Sequence, residues 1–226
     1  MSETNKTKIN KVSEGRFMVA AASAGVSGDA AGAFSLPDGR LAFILSDGMG
    51  KGMKAAAESR AVMATMKKLL KEGITPSRAI KLVNKQLIKD RPYVEDMFAT
   101  VDMTIIDKKK AVAHLYKMGA ATSFLLRENV VKKIDRAALP VGMIGKISAC
   151  QIKINLRPGD ILIMVSDGIT EADRGDLGAT WLSDYLKQVS CNVGPRIMAG
   201  NIVAMAQERY GRREKDDLTA VVIQIK

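Results

Sequence analysis

Two aspartates are the residues best suited to chemistry, because each one follows an unbroken apolar run. Asp47 comes after residues 41–45 and a serine, and Asp167 comes after residues 161–165 and a serine. A glycine follows each aspartate directly. Apolar runs of this length are typical of strands that are buried on both faces. Each run therefore predicts a carboxylate at the end of a core strand, with a glycine that lets backbone or ligand approach closely.

Two further acidic sites extend this set: Asp29 in a Ser-Gly-Asp sequence, and the pair Asp216–Asp217 before the last apolar run. Taken singly, each aspartate is ambiguous, because Asp-Gly is a common turn and a lone Asp often caps a helix. Taken together, they predict a metal site. Core strands that end at the same edge of a sheet would bring the carboxylates close, and crowded carboxylates take up protons unless cations neutralise them. Oxygen ligands favour hard ions such as Mg²⁺ or Mn²⁺.

The elements that must position these carboxylates follow from hydrophobic periodicity and turn signals. The predicted helices cover the stretch from after Gly52 to Gly73, then residues 75–91, 180–189 and 195–211. The predicted strands cover residues 17–24, 32–35, 41–45, 99–105, 112–116, 123–126, 130–134, 152–156, 161–165 and 218–225. Residues 26–29 are expected to form a turn, and alternation over residues 99–105 predicts a half-buried strand. Helix pairs inserted between antiparallel hairpins predict a layered α+β fold.

Length, composition and charge restrict the function classes. The chain has 226 residues without a repeat or a composition break, which predicts one domain over residues 16–226 after a flexible leader or linker remnant over residues 1–15. The net charge is +11, but basic residues are scattered and aromatic content is 4%, which disfavours a nucleic-acid binder. No apolar run approaches the ~20 residues of a membrane span, so no membrane contact is expected from this segment. The distant cysteines, Cys150 and Cys191, indicate a reducing cytoplasm.

Four motifs in order resemble those of the metal-dependent serine/threonine phosphatases, the protein phosphatase 2C-like or PPM family. Within that family the resemblance is to sporulation phosphatases of the stage II sporulation protein E type. It runs from about residue 17 to residue 225 and implies a fold of two stacked antiparallel β-sheets flanked by pairs of helices. The motifs are Ser27-Gly28-Asp29, Asp47-Gly48-Met49-Gly50, Ser166-Asp167-Gly168 and Asp216-Asp217-Leu218-Thr219.

The resemblance also implies a ligand set for two divalent ions, Mn²⁺ or Mg²⁺. Asp47 is expected to bridge the two ions. Asp29 and the Gly48 carbonyl are expected to complete one site, and Asp167 and Asp216 the other. Asp217 stands where many relatives have asparagine, so we expect it to orient Asp216 from outside the coordination sphere.

The function implied by the resemblance is hydrolysis of phosphoserine or phosphothreonine on a bacterial regulatory protein, by a water that the metal pair activates. The expected substrate is a phosphorylated anti-anti-sigma factor in sporulation. The alternative is a catalytically weak regulatory or partner-binding module of the same fold in stress signalling; loss of a metal aspartate would indicate it, and all of them are retained. The expected location is the cytoplasm, either as a separate protein or as the cytoplasmic part of a larger membrane-anchored one. The sequence leaves the oligomeric state open, including a dimer.

Two glycines, Gly50 and Gly52, bracket Lys51 where the bridging aspartate leads into the first long helix. One interpretation is a simple helix entry. The other, implied by the resemblance to sporulation phosphatases, is a switch hinge that moves the helix to complete the metal site. His114 is the only histidine of the chain, and its position on a predicted strand indicates a packed or surface residue rather than a catalytic acid.

Overall fold

The computed structural model describes residues 13–14, 17–23, 27–48, 52–90, 98–173, 179–189, 193–211 and 216–226. The chain divides into two compact units whose segments interleave in sequence. The first unit takes the described residues of Met1–Ser27, Thr122–Ile134 and Pro158–Lys226, and the second takes those of Gly28–Ala121 and Asp135–Arg157.

The described residues form eleven strands and five helices. The strands are β1 (Ser13–Glu14), β2 (Phe17–Ser23), β3 (Asp29–Ser35), β4 (Leu41–Asp47), β5 (Val101–Asp107), β6 (Val112–Met118), β7 (Ser123–Arg127), β8 (Val130–Ile134), β9 (Cys150–Asn155), β10 (Ile161–Val165) and β11 (Thr219–Ile225). The helices are α1 (Gly52–Lys71), α2 (Pro76–Asp90), α3 (Asp167–Thr170), α4 (Thr180–Gln188) and α5 (Pro195–Tyr210).

The second unit contains a five-stranded antiparallel sheet in the order β3-β4-β5-β6-β9. Helices α1 and α2 cover one of its faces, where their apolar stripes pack on alternate strand residues such as Ile44, Met103 and Tyr116. The residues between these, such as Phe43 and Thr104, are also fully buried. The central strands are therefore buried on both faces, which is why their sequences are apolar without a break.

The first unit contains a six-stranded antiparallel sheet in the order β1-β2-β11-β10-β7-β8. Helices α3, α4 and α5 pack on one face of it through a single apolar cluster. Trp181 belongs to this cluster, and the Arg209 guanidinium lies 4.4 Å from the centre of its ring. Trp181 thus packs helix α4 onto this sheet.

The α+β class and the two antiparallel sheets with helices are confirmed, whereas three local expectations were wrong. Asp29 is not part of a turn, because it already pairs in β3. The strand predicted as half-buried, β5, is buried on both faces, and Asp102 on it is 1% exposed. The strands that carry Asp47 and Asp167 do not end at one edge of one sheet, because β4 and β10 belong to different sheets.

Candidate metal centre

The first half of the candidate centre is formed by the ends of β3 and β4. Asp29 lies directly opposite Asp47 in the antiparallel ladder, so the two side chains project from the same face of the sheet. Asp29 is 9% exposed and Asp47 is half-buried. Like charges directly opposite each other destabilise an antiparallel pair, and burial strengthens their repulsion. These two sets of oxygen donors fit a divalent cation, which would neutralise both carboxylates.

Thr100 holds the end of β4 in an extended conformation. Its Oγ1 accepts a hydrogen bond from Asp47 N at 2.9 Å, and its own N–H donates to the Asp47 carbonyl at 2.8 Å. Its carbonyl accepts a hydrogen bond from Ser46 Oγ at 2.7 Å. Three hydrogen bonds therefore fix the backbone around Asp47. The next residue, Gly48, continues the pairing by a bridge to Ala99.

Helix α1 contacts both strands that carry these carboxylates. A Cβ atom on Gly48 would collide with the carbonyl group of Ala55, so only glycine allows the helix to come this close. Ser59 Oγ donates a hydrogen bond to the Gly28 carbonyl, one residue before Asp29. A displacement of α1 would therefore disturb the backbone next to both aspartates.

A buried ion pair lies on the same sheet face as the two carboxylates. Lys117 Nζ donates to Asp102 Oδ2 at 2.6 Å, with the two side chains 0% and 1% exposed. Asp102 lies opposite Leu45, which is two residues before Asp47 and so points to the same side of the sheet. Removal of one partner from such a pair typically costs about 3–5 kcal/mol, because the other charge stays buried.

The second half of the candidate centre lies in the other unit, after β10. Asp167 is the first residue of α3 and is half-buried. A Cβ atom on Gly168 would collide with the Asp217 carbonyl and lie 3.1 Å from Asp216 Cβ. The carbonyl of Gly168 accepts a hydrogen bond from the Tyr210 hydroxyl of α5 at 3.1 Å. The residue after Asp167 is therefore packed directly against the segment that carries Asp216.

Ser166 fixes this second half by bonds to the segment before β11. Its Oγ donates to the Asp217 carbonyl at 3.1 Å and accepts from Thr219 N at 2.9 Å. Its N–H donates to the Thr219 carbonyl at 3.0 Å. Asp216 is exposed, and its carboxylate accepts a hydrogen bond from Asp217 N at 2.9 Å. The carboxylate of Asp216 is thus oriented by the backbone of Asp217.

In one unit, Asp29 and Asp47 lie opposite each other on paired strands. In the other unit, Asp167 begins α3, and the residue after it packs against the segment that carries Asp216. Across the part of the chain that the structure describes, no three His, Cys, Asp or Glu side chains lie close enough together to hold a metal ion. The assignment of Asp29, Asp47, Asp167 and Asp216 to one dinuclear centre therefore stays a prediction. Of the predicted hinge glycines, Gly52 begins α1 and Gly50 lies outside the described residues.

Sequence reasoning missed the residues that hold the carboxylates in place. Thr100 and Ser59 are ordinary polar residues whose partners lie far away in sequence. Glu58, next to Ser59 on α1, is 5% exposed. One signal was available for the ion pair: Asp102 and Lys117 place opposite charges in the interior of two mostly apolar strands.

The family model described as "Stage II sporulation protein E (SpoIIE)" matches residues 37–226. The chain belongs to this family. It is 33% identical over 223 residues to the stage II sporulation protein E of Bacillus subtilis (strain 168), which covers 97% of this chain and 26% of that protein. It is 30% identical over 220 residues to the protein of the same name from Priestia megaterium, which covers 97% of this chain and 37% of that one. The chain thus spans well under half the length of these SpoIIE relatives.

Solved structures of the PP2C fold are similar to the SpoIIE-family chain. The structure of the PP2C phosphatase domain and a fragment of the regulatory domain of SpoIIE from Bacillus subtilis matches with a TM-score of 0.84 and 30% identity over 96% of this chain and 64% of that one. The serine/threonine phosphatase of S. agalactiae matches with a TM-score of 0.76 over 93% of this chain and 100% of that one. At 14% identity, that second likeness concerns the fold alone.

The described residues form the five helices α1 to α5. None of them combines the length and the apolar character that a crossing of the bilayer needs.

Proposed function

We propose that this chain is a metal-dependent phosphoprotein phosphatase that hydrolyses phosphoserine or phosphothreonine on a bacterial regulatory protein. The observation that carries the proposal is the position of Asp29 directly opposite Asp47 at the end of β3 and β4. Two carboxylates on one sheet face, one of them buried, repel each other, and a cation bound between them would relieve this repulsion. Membership of the SpoIIE family supports the same conclusion independently.

The proposed ligands come from both halves of the candidate centre. Asp47 would bridge two divalent ions, Mn²⁺ or Mg²⁺. Asp29 and the Gly48 carbonyl would complete one site, and Asp167 and Asp216 would complete the other. Asp217 acts through Asp216, because its N–H donates to the Asp216 carboxylate. Oxygen donors alone make up this set, which is the preference of hard divalent ions.

When bound, two such ions would neutralise charge on the phosphate and make a water molecule nucleophilic near neutral pH. The chain's own residues hold the ligands in place before any ion binds. Thr100 fixes the backbone of Asp47 by two hydrogen bonds, and Ser166 fixes the segment that carries Asp216. Such preorganisation avoids a rearrangement of ligands during the reaction.

The proposed substrate is a phosphorylated anti-anti-sigma factor in the cytoplasm. One relative of this chain, 24% identical over 186 residues, is the phosphoserine phosphatase RsbU of Bacillus subtilis (strain 168). The phosphoserine phosphatase activity of that relative supports a phosphoserine substrate for the present chain. Sporulation is the preferred pathway because the family model and the two relatives of higher identity are sporulation proteins.

Helix α1 is also proposed to regulate the metal site. Its Ala55 carbonyl packs against Gly48, and its Ser59 is bonded to Gly28. The helix is therefore coupled to both strands that carry the proposed ligands Asp29 and Asp47. Gly52, at the start of α1, would serve as hinge together with Gly50. We expect Ser59→Ala and Gly52→Ala to change the Mn²⁺ concentration needed for half-maximal activity. An unchanged metal dependence in both variants would remove this part of the proposal.

The catalytic proposal is tested by hydrolysis of p-nitrophenyl phosphate with Mn²⁺ and with EDTA. We expect turnover with Mn²⁺, none with EDTA, and a loss of turnover in Asp47→Asn. Asp135→Asn, an exposed aspartate of the same unit, is the matched control and should behave as the wild type. Equal activity with EDTA would contradict the metal mechanism. Binding of a partner by a chain without turnover would favour the alternative, a regulatory module.

The substrate is tested with a panel of serine-phosphorylated anti-anti-sigma proteins and unrelated phosphoproteins of similar size. Release of phosphate is measured at equal enzyme and Mn²⁺ concentrations. We expect kcat/KM to be at least about a hundredfold higher for one member of the panel, because specificity requires differential transition-state binding. Equal rates on all phosphoproteins would contradict a dedicated substrate while leaving the chemistry intact.

A further inference from the structure

A cavity of about 750 Å³ lies in the second unit, at the end of the sheet where the β3–β4 and β5–β6 turns lie. Strands β6 and β9 contribute its remaining wall. Its lining residues are Asp38, Gly39, Arg40, Asp107, Lys108, Lys109, Lys110, Val112, His114 and Lys153. Cationic side chains thus enter one cavity from two turns and from an outer strand.

This cavity is separate from the candidate metal centre. Asp29 and Asp47 lie at one end of the β3–β4 hairpin, whereas Asp38 and Arg40 lie in or beside the turn at its other end. Each of these strands has seven residues, which corresponds to roughly 20 Å at the rise of an antiparallel strand. A ligand in the cavity would therefore not reach the proposed metal ligands of this unit.

The charge of the lining is strongly positive. It contains five Lys and Arg side chains and two carboxylates, a surplus of three positive charges. Both carboxylates are already engaged locally: Asp38 accepts hydrogen bonds from Arg40 N and Nε, and Asp107 accepts from Lys109 N and Lys110 N. These bonds lower the pKa of both Asp38 and Asp107 and keep them ionised.

The only histidine of the chain, His114, lines this cavity, and the charges around it affect its pKa. His114 pairs with Lys153 across the β6–β9 ladder, and its Nδ1 lies 2.6 Å from Nε2 of the Gln151 side-chain amide. In the imidazolium form both ring nitrogens carry a proton and can donate to an anion. Burial lowers the pKa of His114, and the charges of Lys153 and Arg40 lower it further.

We propose that this cavity binds a small anion with two or more adjacent phosphate groups. The cavity volume lies within the range of roughly 300–1,000 Å³ that is typical of small-molecule sites. Lysines bind phosphate as point charges, and several of them on different elements suit a multiply charged group better than a single phosphate. The lining has no Phe, Tyr or Trp on which a nucleobase could stack, so recognition rests on the phosphates.

The proposal is tested by titration of the metal-free wild-type chain with inorganic pyrophosphate in the presence of EDTA. His114 gives a single histidine signal in NMR spectra, and its pKa is measured with and without the anion. We expect the pKa of His114 to rise by about half a unit or more, because an anion close by favours the imidazolium form. An unchanged His114 titration at saturating pyrophosphate would overturn the proposal.

The paired variants Lys109→Ala/Lys153→Ala and Lys85→Ala/Lys132→Ala separate a built site from general charge attraction. The first pair removes two cavity cations, and the second removes the same charge from exposed positions outside the cavity. By calorimetry, we expect the first pair to weaken pyrophosphate binding at least tenfold and the second to change it less than twofold. Equal weakening by both pairs would overturn the proposal.

Two further ligands distinguish the source of the anion. ADP and pyrophosphate share the diphosphate group, so comparable affinities support recognition of the phosphates alone, and tighter binding of ADP identifies a nucleotide as the source. Polyglutamate tests the other class of partner, an acidic protein segment. Tighter binding of polyglutamate than of pyrophosphate would overturn the small-anion proposal. Phosphatase turnover is absent from all these measurements, so their failure leaves the proposed function untouched.

Discussion

The tripeptide Ser-Asp-Gly follows a buried strand twice, and its two copies have different conformations. In the first copy, Asp47 stays within β4 and pairs with Asp29 across the ladder. In the second, the strand ends at Val165 and Asp167 begins the short helix α3. The aspartate of the tripeptide is therefore the last residue of a strand in one unit and the first residue of a helix in the other.

Their hydrogen-bond partners explain this difference. The first serine, Ser46, donates to the carbonyl of Thr100, whose own hydroxyl accepts from Asp47 N. These bonds join the end of β4 to Thr100, beyond the last β4–β5 pair of Leu45 with Asp102. The second serine, Ser166, bonds with its side chain to Asp217 and to Thr219, where β11 begins. The conformation of the aspartate is thus decided by the neighbouring strand and not by the tripeptide.

In both copies, close packing of a neighbouring backbone segment requires glycine after the aspartate. A Cβ atom on Gly48 would collide with a carbonyl of α1, and a Cβ atom on Gly168 would collide with a carbonyl beside Asp216. In both units the glycine lets another backbone segment pack directly behind the aspartate. The motif thus specifies close packing around a carboxylate, whatever the secondary structure of that carboxylate.

The largest effect is expected from Asp47→Ala and Asp167→Ala. Each should lower Mn²⁺-dependent turnover of p-nitrophenyl phosphate on the order of a thousandfold, because several kcal/mol of charge stabilisation are lost. Calorimetric titration should separate the two: Asp47→Ala should lose both ions, and Asp167→Ala should keep one. Equal stoichiometry in both variants would show that Asp47 does not bridge.

Next in size are the glycine variants. Gly48→Ala and Gly168→Ala should each lower the free energy of unfolding by about 2–3 kcal/mol in urea titrations, because the new methyl group meets backbone. Gly145→Ala and Gly200→Ala are matched controls with open space around them. Gly200 lies within α5, so its replacement should raise stability by up to about 1 kcal/mol. Unchanged stability in Gly48→Ala would mean that α1 is not packed on this residue.

The serine variants test how much the side-chain hydrogen bonds of Ser46 and Ser166 stabilise the protein. Ser166→Ala removes two side-chain bonds and Ser46→Ala removes one. At about 1 kcal/mol for each bond, we expect losses of about 2 and about 1 kcal/mol in the free energy of unfolding. A larger loss in Ser46→Ala than in Ser166→Ala would contradict this order.

The smallest effect concerns the carboxylate pair. In EDTA, Asp29→Asn should raise the free energy of unfolding by about 0.5 kcal/mol, because it removes a like charge directly opposite Asp47. With Mn²⁺ the sign should reverse, since the variant binds metal less well. Asp216→Asn, at an exposed position outside any ladder, should leave metal-free stability unchanged. A gain in both variants would point to net charge instead of the pair.

Local signals in the sequence predicted the boundaries of α1 and α2 well. Gly73 follows α1 with a φ of 81°, and Pro76 begins α2, close to the predicted bounds. The turn before β10 likewise has Gly159 at a φ of 87°. Such features depend on residues next to each other in the chain, so the sequence alone is sufficient.

Non-local features were not predictable in the same way. The two apolar runs have the same pattern, and nothing within either run shows that β4 and β10 join different sheets. Asp102 looked exposed on an alternating strand, but Lys117 of the neighbouring strand neutralises it in the core. The aspartates of the candidate centre were selected by motif, whereas Thr100 was not, because its bond to Asp47 joins residues 53 positions apart.

The pairing of β2 with β11 has a consequence for how the chain folds as it is made. The two strands are neighbours along their whole lengths, although nearly all of the described chain separates them. On the ribosome, β2 emerges before β11 and stays unpaired with it until β11 has been synthesised. Such distant pairing slows folding and leaves strand edges open to other chains in the meantime. A fragment that stops before β11 would therefore be prone to aggregate during expression.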